Sequence, residues 1–201
     1  MSGKKVLIAY GTRYGSTEEI SKEIGAILKK EGLEVQLVDL KKTKAKEWPS
    51  LENFDGVLAG SSIAMGKWMN EPQEFLKKHK AEIQKKEKIF GLFVSCGSAM
   101  VNPSTREPLY PEKCEKAKSD YLEKVMAKIG IEANIYDAFG GVYDFSESSR
   151  MGGFAKKMMK MGIKQMSEDY GIEIDENGKT DFRDWDQIQN FAKKFAAMIK
   201  K

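Results

Sequence analysis

The stretch Gly11-Thr12-Arg13-Tyr14-Gly15-Ser16-Thr17 holds the chain's most suggestive chemistry. The hydroxyls of Thr12, Ser16 and Thr17 can hydrogen-bond the oxygens of an anion, and Gly15 lets the backbone approach closely or take a positive φ. Arg13 either helps neutralise such an anion or points to solvent. Val6-Leu7-Ile8-Ala9-Tyr10 precedes the turn as a short, continuous apolar run, the pattern of a strand buried on both faces of a parallel sheet. After the turn, Ser16 and Glu19 stand at capping-box spacing, and Ile20, Ile24, Ile27 and Leu28 recur at helical intervals. The turn therefore aims backbone N–H groups and the positive end of a helix dipole at whatever sits above the strand. Phosphate suits that geometry best. The turn lacks the lysine of G-x-x-x-x-G-K-[ST] and does not match G-x-G-x-x-G.

The elements that position this turn alternate between strand and helix, the signature of a parallel α/β sheet. Gly32 is placed to end the first helix, and 34–39 reads as strand two. Gly56 to Gly60 reads as strand three and runs into the loop 61–68. Pro72 falls in the first turn of a helix that turns Phe75, Leu76 and Ile83 inward. Strand four is 89–95, and a loop with Pro103, Pro108 and Pro111 follows it. A helix with the stripe Ala117, Tyr121, Val125, Ile129 leads to strand five over 133–139. The last helix buries Trp185, Ile188, Phe191, Ala192, Phe195 and Ile199, with Asp184 and Gln187 as its cap pair. The expected fold is a single α/β domain over 1–201, a doubly wound three-layer sandwich around a five-stranded parallel sheet.

Residues 140–183 are an insertion before the last helix. Phe154, Ala155, Met158, Met159, Gly162, Ile163 and Met166 are expected to share one helix face, with Lys156, Lys160 and Lys164 opposite. Residues 172–179 alternate and end in Asn177-Gly178, the pattern of a short edge strand or hairpin.

A chain of 201 residues with 41% hydrophobic and 32% charged residues supports one buried core. It has no run approaching the roughly 20 apolar residues that span a bilayer, and Met1-Ser2-Gly3-Lys4-Lys5 leads straight into the first strand, so a cytoplasmic location is expected. Cys96 and Cys114 do not form C-x-x-C, and the lone His79 argues against His-rich metal sites and triads. The net charge of +4 comes without a basic patch interleaved with aromatics, which disfavours nucleic acid. A phosphate-signalling receiver would need acidic residues at the ends of strands one and three, where Tyr10, Gly11, Gly60 and Ser61 stand.

In a doubly wound sheet, ligands bind beyond the carboxyl ends of the strands at the topological switch point, which selects the loops 11–17, 61–68 and 95–111. Together with Thr12-x-x-Gly15-x-Thr17, this arrangement resembles the flavodoxin family. The resemblance implies that Thr12, Arg13, Tyr14, Gly15, Ser16 and Thr17 hold the phosphate of FMN. The ring would then lie between Ser62, Ile63, Ala64, Met65, Gly66 and Trp68 of the second loop and Ser95, Cys96, Gly97 and Tyr110 of the third. Tyr14, Trp68 and Tyr110 are the candidates to stack on or flank the ring, and Gly66 could rotate its peptide to accept a hydrogen bond from the reduced flavin. Cys96 is read first as a small buried residue at a strand end.

Ser61-Ser62-Ile63-Ala64-Met65-Gly66, Glu74-Phe75-Leu76-Lys77-Lys78-His79, the basic Met-rich segment 154–166 and Asp184-Trp185-Asp186-Gln187-Ile188 are similar to the menaquinone-dependent protoporphyrinogen oxidase branch of that family. Val142-Tyr143-Asp144-Phe145-Ser146 departs from the branch in lacking a dense Arg and Tyr cluster. The favoured reading is an FMN electron carrier between redox partners. The alternative is a protoporphyrinogen or quinone oxidoreductase using FMN, and enzyme status stays open. No catalytic acid or base and no metal ligand is singled out. Partners are redox proteins or a quinone, and 154–166 is either core packing or a peripheral contact with the inner face of a membrane.

Overall fold

The apolar run ending at Tyr10 forms β1 (Lys5–Gly11), and the helical pattern after the turn forms α1 (Ser16–Lys30). The structure, a computed structural model, describes residues 3–201; Met1 and Ser2, the start of the segment expected to lead into the first strand, lie outside the described residues. Gly32, at φ 83°, follows α1 in the left-handed region, as the sequence predicts. β1 pairs in parallel with β2 (Glu34–Asp39) on one side and with β3 (Gly56–Ala64) on the other.

β3 runs farther than expected and turns back at Met65-Gly66 into β4 (Lys67–Trp68), with Ala64 opposite Lys67. Met65 and Gly66 both take positive φ, 50° and 73°, the twist of a two-residue hairpin turn. The helical segment behind it is α2 (Asn70–Lys78) and a short α3 (Lys80–Ile83), hinged at His79. His79 is buried, its Nδ1 2.8 Å from a carboxylate oxygen of Glu82.

β5 (Ile89–Ser95) and β6 (Ile135–Phe139) complete the parallel sheet, whose order is β2-β1-β3-β5-β6. This is the five-stranded doubly wound arrangement expected from the sequence, with the switch point between β1 and β3. The crossover from β5 to β6 is α4 (Pro111–Ala117), a π-helical stretch Lys118–Glu123, and α5 (Lys124–Ile129).

Alternate strand residues feed two cores. Leu7, Ala9, Val57, Leu92 and Val94 pack on one face with Phe75, Leu76, Leu122 and Val125. Val6, Ile8, Leu58 and Phe93 pack on the other with α1 and α7 (Trp185–Lys200), through Ile24, Leu28, Phe191 and Phe195. Each fully buried Leu, Ile or Phe contributes roughly 1.5–3 kcal/mol. α7 starts where Asp184 predicts, its Oδ1 accepting the Gln187 N–H at 3.0 Å.

The insertion forms its own layer beside the carboxyl ends of the strands. β7 (Val142–Asp144) pairs antiparallel with β8 (Lys179–Asp181), and α6 (Gly153–Tyr170) lies between them in sequence. The expected strand over 172–179 is corrected: the paired residues follow the Asn177-Gly178 turn, and Ile172 instead buries its side chain beside Met100, Leu109, Met166 and Phe182. α6 is also corrected. Ala155, Met159, Ile163 and Met166 face inward, whereas Phe154 and Met158 are 81% and 54% exposed, with Met161 beside them at 71%. Lys156 and Lys160 are not on an opposite face: Lys156 donates to the Ser146 carbonyl and Lys160 lies 5.4 Å from the Phe145 ring centre.

Candidate functional site

The loop between β1 and α1 is shaped by its own groups. Thr12 is buried, and its Oγ1 accepts the Gly15 N–H at 3.0 Å. Gly15 is the helix N-cap at φ 113°, a conformation that side-chain-bearing residues rarely adopt. The expected capping box is corrected: Ser16 Oγ accepts from Val142 N at 3.2 Å, and Glu19 reaches Arg183 Nη2 at 2.8 Å. Both groups of the expected local pair are spent on the insertion. Thr17 is fully buried, and its Oγ1 has no partner within the protein. A buried hydroxyl without a partner is costly, and this one sits in the first turn of α1, where α-helical N–H groups lack intrahelical acceptors.

Beyond β3, the Arg13 N–H donates to Ser62 Oγ at 3.2 Å, tying the first loop to the second. Ser95, at the end of β5, donates from Oγ to the Gly140 carbonyl at 3.0 Å, which ties the third loop to the start of the insertion. These loops surround a cleft of about 160 Å³. Of the residues expected there, Thr12, Arg13, Tyr14 and Ser16 line it from the first loop, Ser62, Ile63 and Ala64 from the second, and Ser95, Cys96 and Gly97 from the third. Gly15 and Thr17 belong to the first loop without lining this cleft. Met65 and Gly66 form the hairpin tip, where Met65 is 91% exposed.

Two expected aromatics lie elsewhere. Trp68 is buried in the core beneath α2, its Nε1 donating to the Tyr121 carbonyl at 2.6 Å. Pairing with Ile63 across the β3–β4 hairpin is what turns this indole inward. Tyr110 stands edge-on to Tyr170 at 5.5 Å, packed in the cluster of Met100, Leu109 and Met166, and burial raises its pKa. Tyr14 does reach the cleft, and its ring packs on the insertion cluster of Phe145, Met151 and Ile163.

The insertion supplies what sequence reasoning missed. Gly141, Val142, Tyr143 and Met159 complete the cleft wall, with Met100 below them. Only the Gly140-Gly141 pair signalled this. A Cβ on Gly140 would sit 2.1 Å from the Phe182 carbonyl oxygen, so the chain turns there against its own backbone. Tyr143 packs against Phe145 and Phe182, with ring centres 6.1 and 5.2 Å apart, and burial raises its pKa. Burial likewise pushes the Cys96 thiol up to about 11, so it is protonated at neutral pH.

Charge is concentrated under the phosphate-type loop. Hydrogen bonds from Arg150 and Lys22, at 2.6 and 2.8 Å, lower Glu18 from the usual 4.5 to about 2. Tyr10 at the end of β1 is raised to about 12, by burial first and then by the charges of Glu18 and Asp39. Arg183 is buried between Asp181 and Glu19, its guanidinium 4.3 Å from the Trp185 ring centre.

The chain is thus a doubly wound α/β domain with a hydroxyl-lined, lysine-free loop at its switch point and two further strand-end loops beside it. The flavodoxin-domain family profile matches residues 7–171, and the chain belongs to that family. Protoporphyrinogen IX dehydrogenase [quinone] of Escherichia coli (strain K12) is 27% identical over 197 residues, covering 98% of this chain and 97% of that protein. A flavodoxin from the domain Archaea superposes with a TM-score of 0.51 at 14% identity, covering 98% and 99% of the two chains. The rubredoxin oxygen:oxidoreductase of Desulfovibrio gigas superposes at 0.53 and 16% identity, over 98% of this chain and 36% of that one. These superpositions show the shared fold.

Proposed function

We propose that this chain is a single flavodoxin-like domain that binds FMN and works as a quinone-coupled oxidoreductase on a protoporphyrinogen-like donor. The observation that carries the flavin reading is the fully buried, unpartnered hydroxyl of Thr17 within a loop closed by Thr12 and opened by Gly15. That donor set fits a phosphate held by hydroxyls and amides. Thr12, Ser16 and Thr17 would hold the phosphate, Ser62 to Ala64 and Ser95 to Gly97 would flank the ring, and Gly66 would supply the peptide that answers its reduction. FMN, when bound, supplies the two-electron chemistry that links an organic donor to a quinone. The protein's part is to bind and orient it, and to exclude water with Tyr14, Tyr143 and Met159.

The oxidoreductase reading is favoured over the carrier for two reasons. The full-length relatives bear the name of a quinone-linked dehydrogenase, and the insertion walls the ring-side cleft with side chains of its own. A carrier would need the flavin edge open to a protein partner. Among the described residues no helix is long and apolar enough to cross a membrane. The outward face of α6, with Phe154, Met158 and Met161 beside the exposed Lys157 and Lys164, suits peripheral contact with an anionic lipid surface from which a quinone is drawn.

The test is direct. The purified protein should be yellow, or its apoprotein should take up FMN, and it should turn over anaerobically with protoporphyrinogen and a quinone together. FMN uptake without that turnover leaves the electron carrier, and a colourless protein unable to bind FMN removes both. Flotation with anionic vesicles at low salt tests the α6 contact: no binding there eliminates it.

A further inference from the structure

Glu18 presents a difficulty for a loop that binds a dianion. Its carboxylate lies in the first turn of α1, is only 8% exposed, and sits next to Thr17, the residue with the unpartnered hydroxyl. A fixed negative charge so close to the helix N-terminus opposes the field that favours phosphate there. Lys22 and Lys42 pair with it at 2.8 and 3.9 Å, but both lysines are about two-thirds exposed and face water. Arg150 is itself half exposed and differs from the lysines in its reach. It crosses from the insertion, 132 residues away in sequence, to place Nη1 2.6 Å from Glu18 Oε2. The same Nη1 lies 3.8 Å from the position a Cβ would take on Gly15, so the guanidinium rests against the left-handed residue of the loop. Of the other charges nearby, Glu19 is committed to Arg183, Asp39 to Lys42, and Arg13 lies over the Tyr14 ring at 5.5 Å.

We infer that Arg150 is a positioning residue for phosphate recognition: by cancelling Glu18 beneath the loop it makes the site accept the dianionic FMN over uncharged riboflavin. The inference rests on the flavin reading above and adds to it that the choice between the two flavins is set by the insertion. A tie that only clasps the insertion in place would affect both flavins alike, because they share the same ring and ribityl chain.

The experiment is a fluorescence-quenching titration of apoprotein with FMN and, separately, riboflavin, for the natural chain, Arg150→Met, Arg150→Lys, and Arg150→Met combined with Glu18→Gln. Circular dichroism and thermal melts check each fold. Arg150→Met should weaken FMN about tenfold, the scale of one uncompensated charge several ångströms away at a partly wetted site, and leave riboflavin within about a factor of two. Arg150→Lys should keep most of the preference, and the double variant should regain FMN affinity because the repelling charge has gone. Equal losses for FMN and riboflavin, or a double variant no better than Arg150→Met, overturn the inference while leaving flavin binding intact. A natural chain that binds neither flavin overturns the flavin reading and this inference with it.

Discussion

Thr17→Val separates the cost of the buried hydroxyl from its use. Within the protein, Oγ1 is enclosed with no acceptor or donor, so replacing it by a methyl of the same shape should not destabilise the fold. An unsatisfied buried hydroxyl costs roughly 1–3 kcal/mol, and part of that returns when the group is removed. We expect apo Thr17→Val to be as stable as the natural chain or up to about 1 kcal/mol more so. The opposite holds for FMN. A hydrogen bond to a charged group contributes about 1.5–3 kcal/mol, and each 1.4 kcal/mol is tenfold, so FMN affinity should fall roughly ten- to hundredfold.

Urea denaturation of the apoproteins gives the first number, and fluorescence-quenching titration gives the second. Thr17→Ser is the control: it keeps the hydroxyl but gives up a methyl, so it should lose some apo stability and little FMN affinity. Riboflavin, which has no phosphate, should bind the natural chain and Thr17→Val about equally. The reasoning is refuted if Thr17→Val destabilises the apoprotein by more than about 1 kcal/mol, which would mean that the hydroxyl is satisfied in the fold. It is also refuted if FMN and riboflavin lose affinity together.

Other expectations follow from single contacts. Glu18 is lowered from 4.5 to about 2 by Arg150 and Lys22, so its contribution to stability is complete above pH 4.5 and is lost as pH falls towards about 2; urea midpoints across that range should fall less steeply in Glu18→Gln. Asp184→Ala removes the side-chain acceptor at the start of α7 and should cost about 1 kcal/mol in chemical denaturation, with Asp184→Asn close to neutral. Gly140→Ala drives a Cβ against the Phe182 carbonyl rather than against a movable side-chain end. It should lower stability by roughly 1–3 kcal/mol and, because Ser95 Oγ bonds the Gly140 carbonyl, weaken flavin uptake as well.

The sheet and its order were legible because each parallel strand is a short apolar run followed by a helix with its own inward stripe. The first loop was legible because hydroxyls, glycine and a helix start fall within a few residues. What escaped was non-local. Ser16 and Glu19 have capping-box spacing, yet Val142 and Arg183 are the partners they meet. Trp68 and Tyr110 lie on loops at the right strand ends, but an aromatic's position in sequence does not say whether its ring turns to the cleft or to the core. Lys179-Thr180-Asp181 is too short and polar to read as a strand, whereas Ile172-Glu173-Ile174 alternates without pairing. In α6, Met and Phe occupy so many positions that two apolar faces exist, and periodicity alone cannot choose which one is inside.

The insertion and the phosphate-type loop are best regarded as one unit, because their ties converge on the first turn of α1. Val142 bonds Ser16, Arg150 pairs with Glu18, and Arg183 pairs with Glu19. Tyr14, in the loop just before that turn, packs on the insertion's cluster. An ordinary strand-to-helix turn needs none of these partners to cap its helix, since a glycine N-cap and water suffice. Here the N-terminal turn gives up its local cap, keeps a hydroxyl buried without a partner, and carries a carboxylate that must be neutralised from afar. The unpartnered hydroxyl costs stability, whereas Glu18 contributes stability only because Arg150 and Lys22 answer its charge; under the function proposed above, a phosphate would give the hydroxyl the partner it lacks. Strain and unmet polar groups concentrate where function is carried. That is the physical reason for proposing that recognition lies in this loop and its tuning in the insertion tied to it.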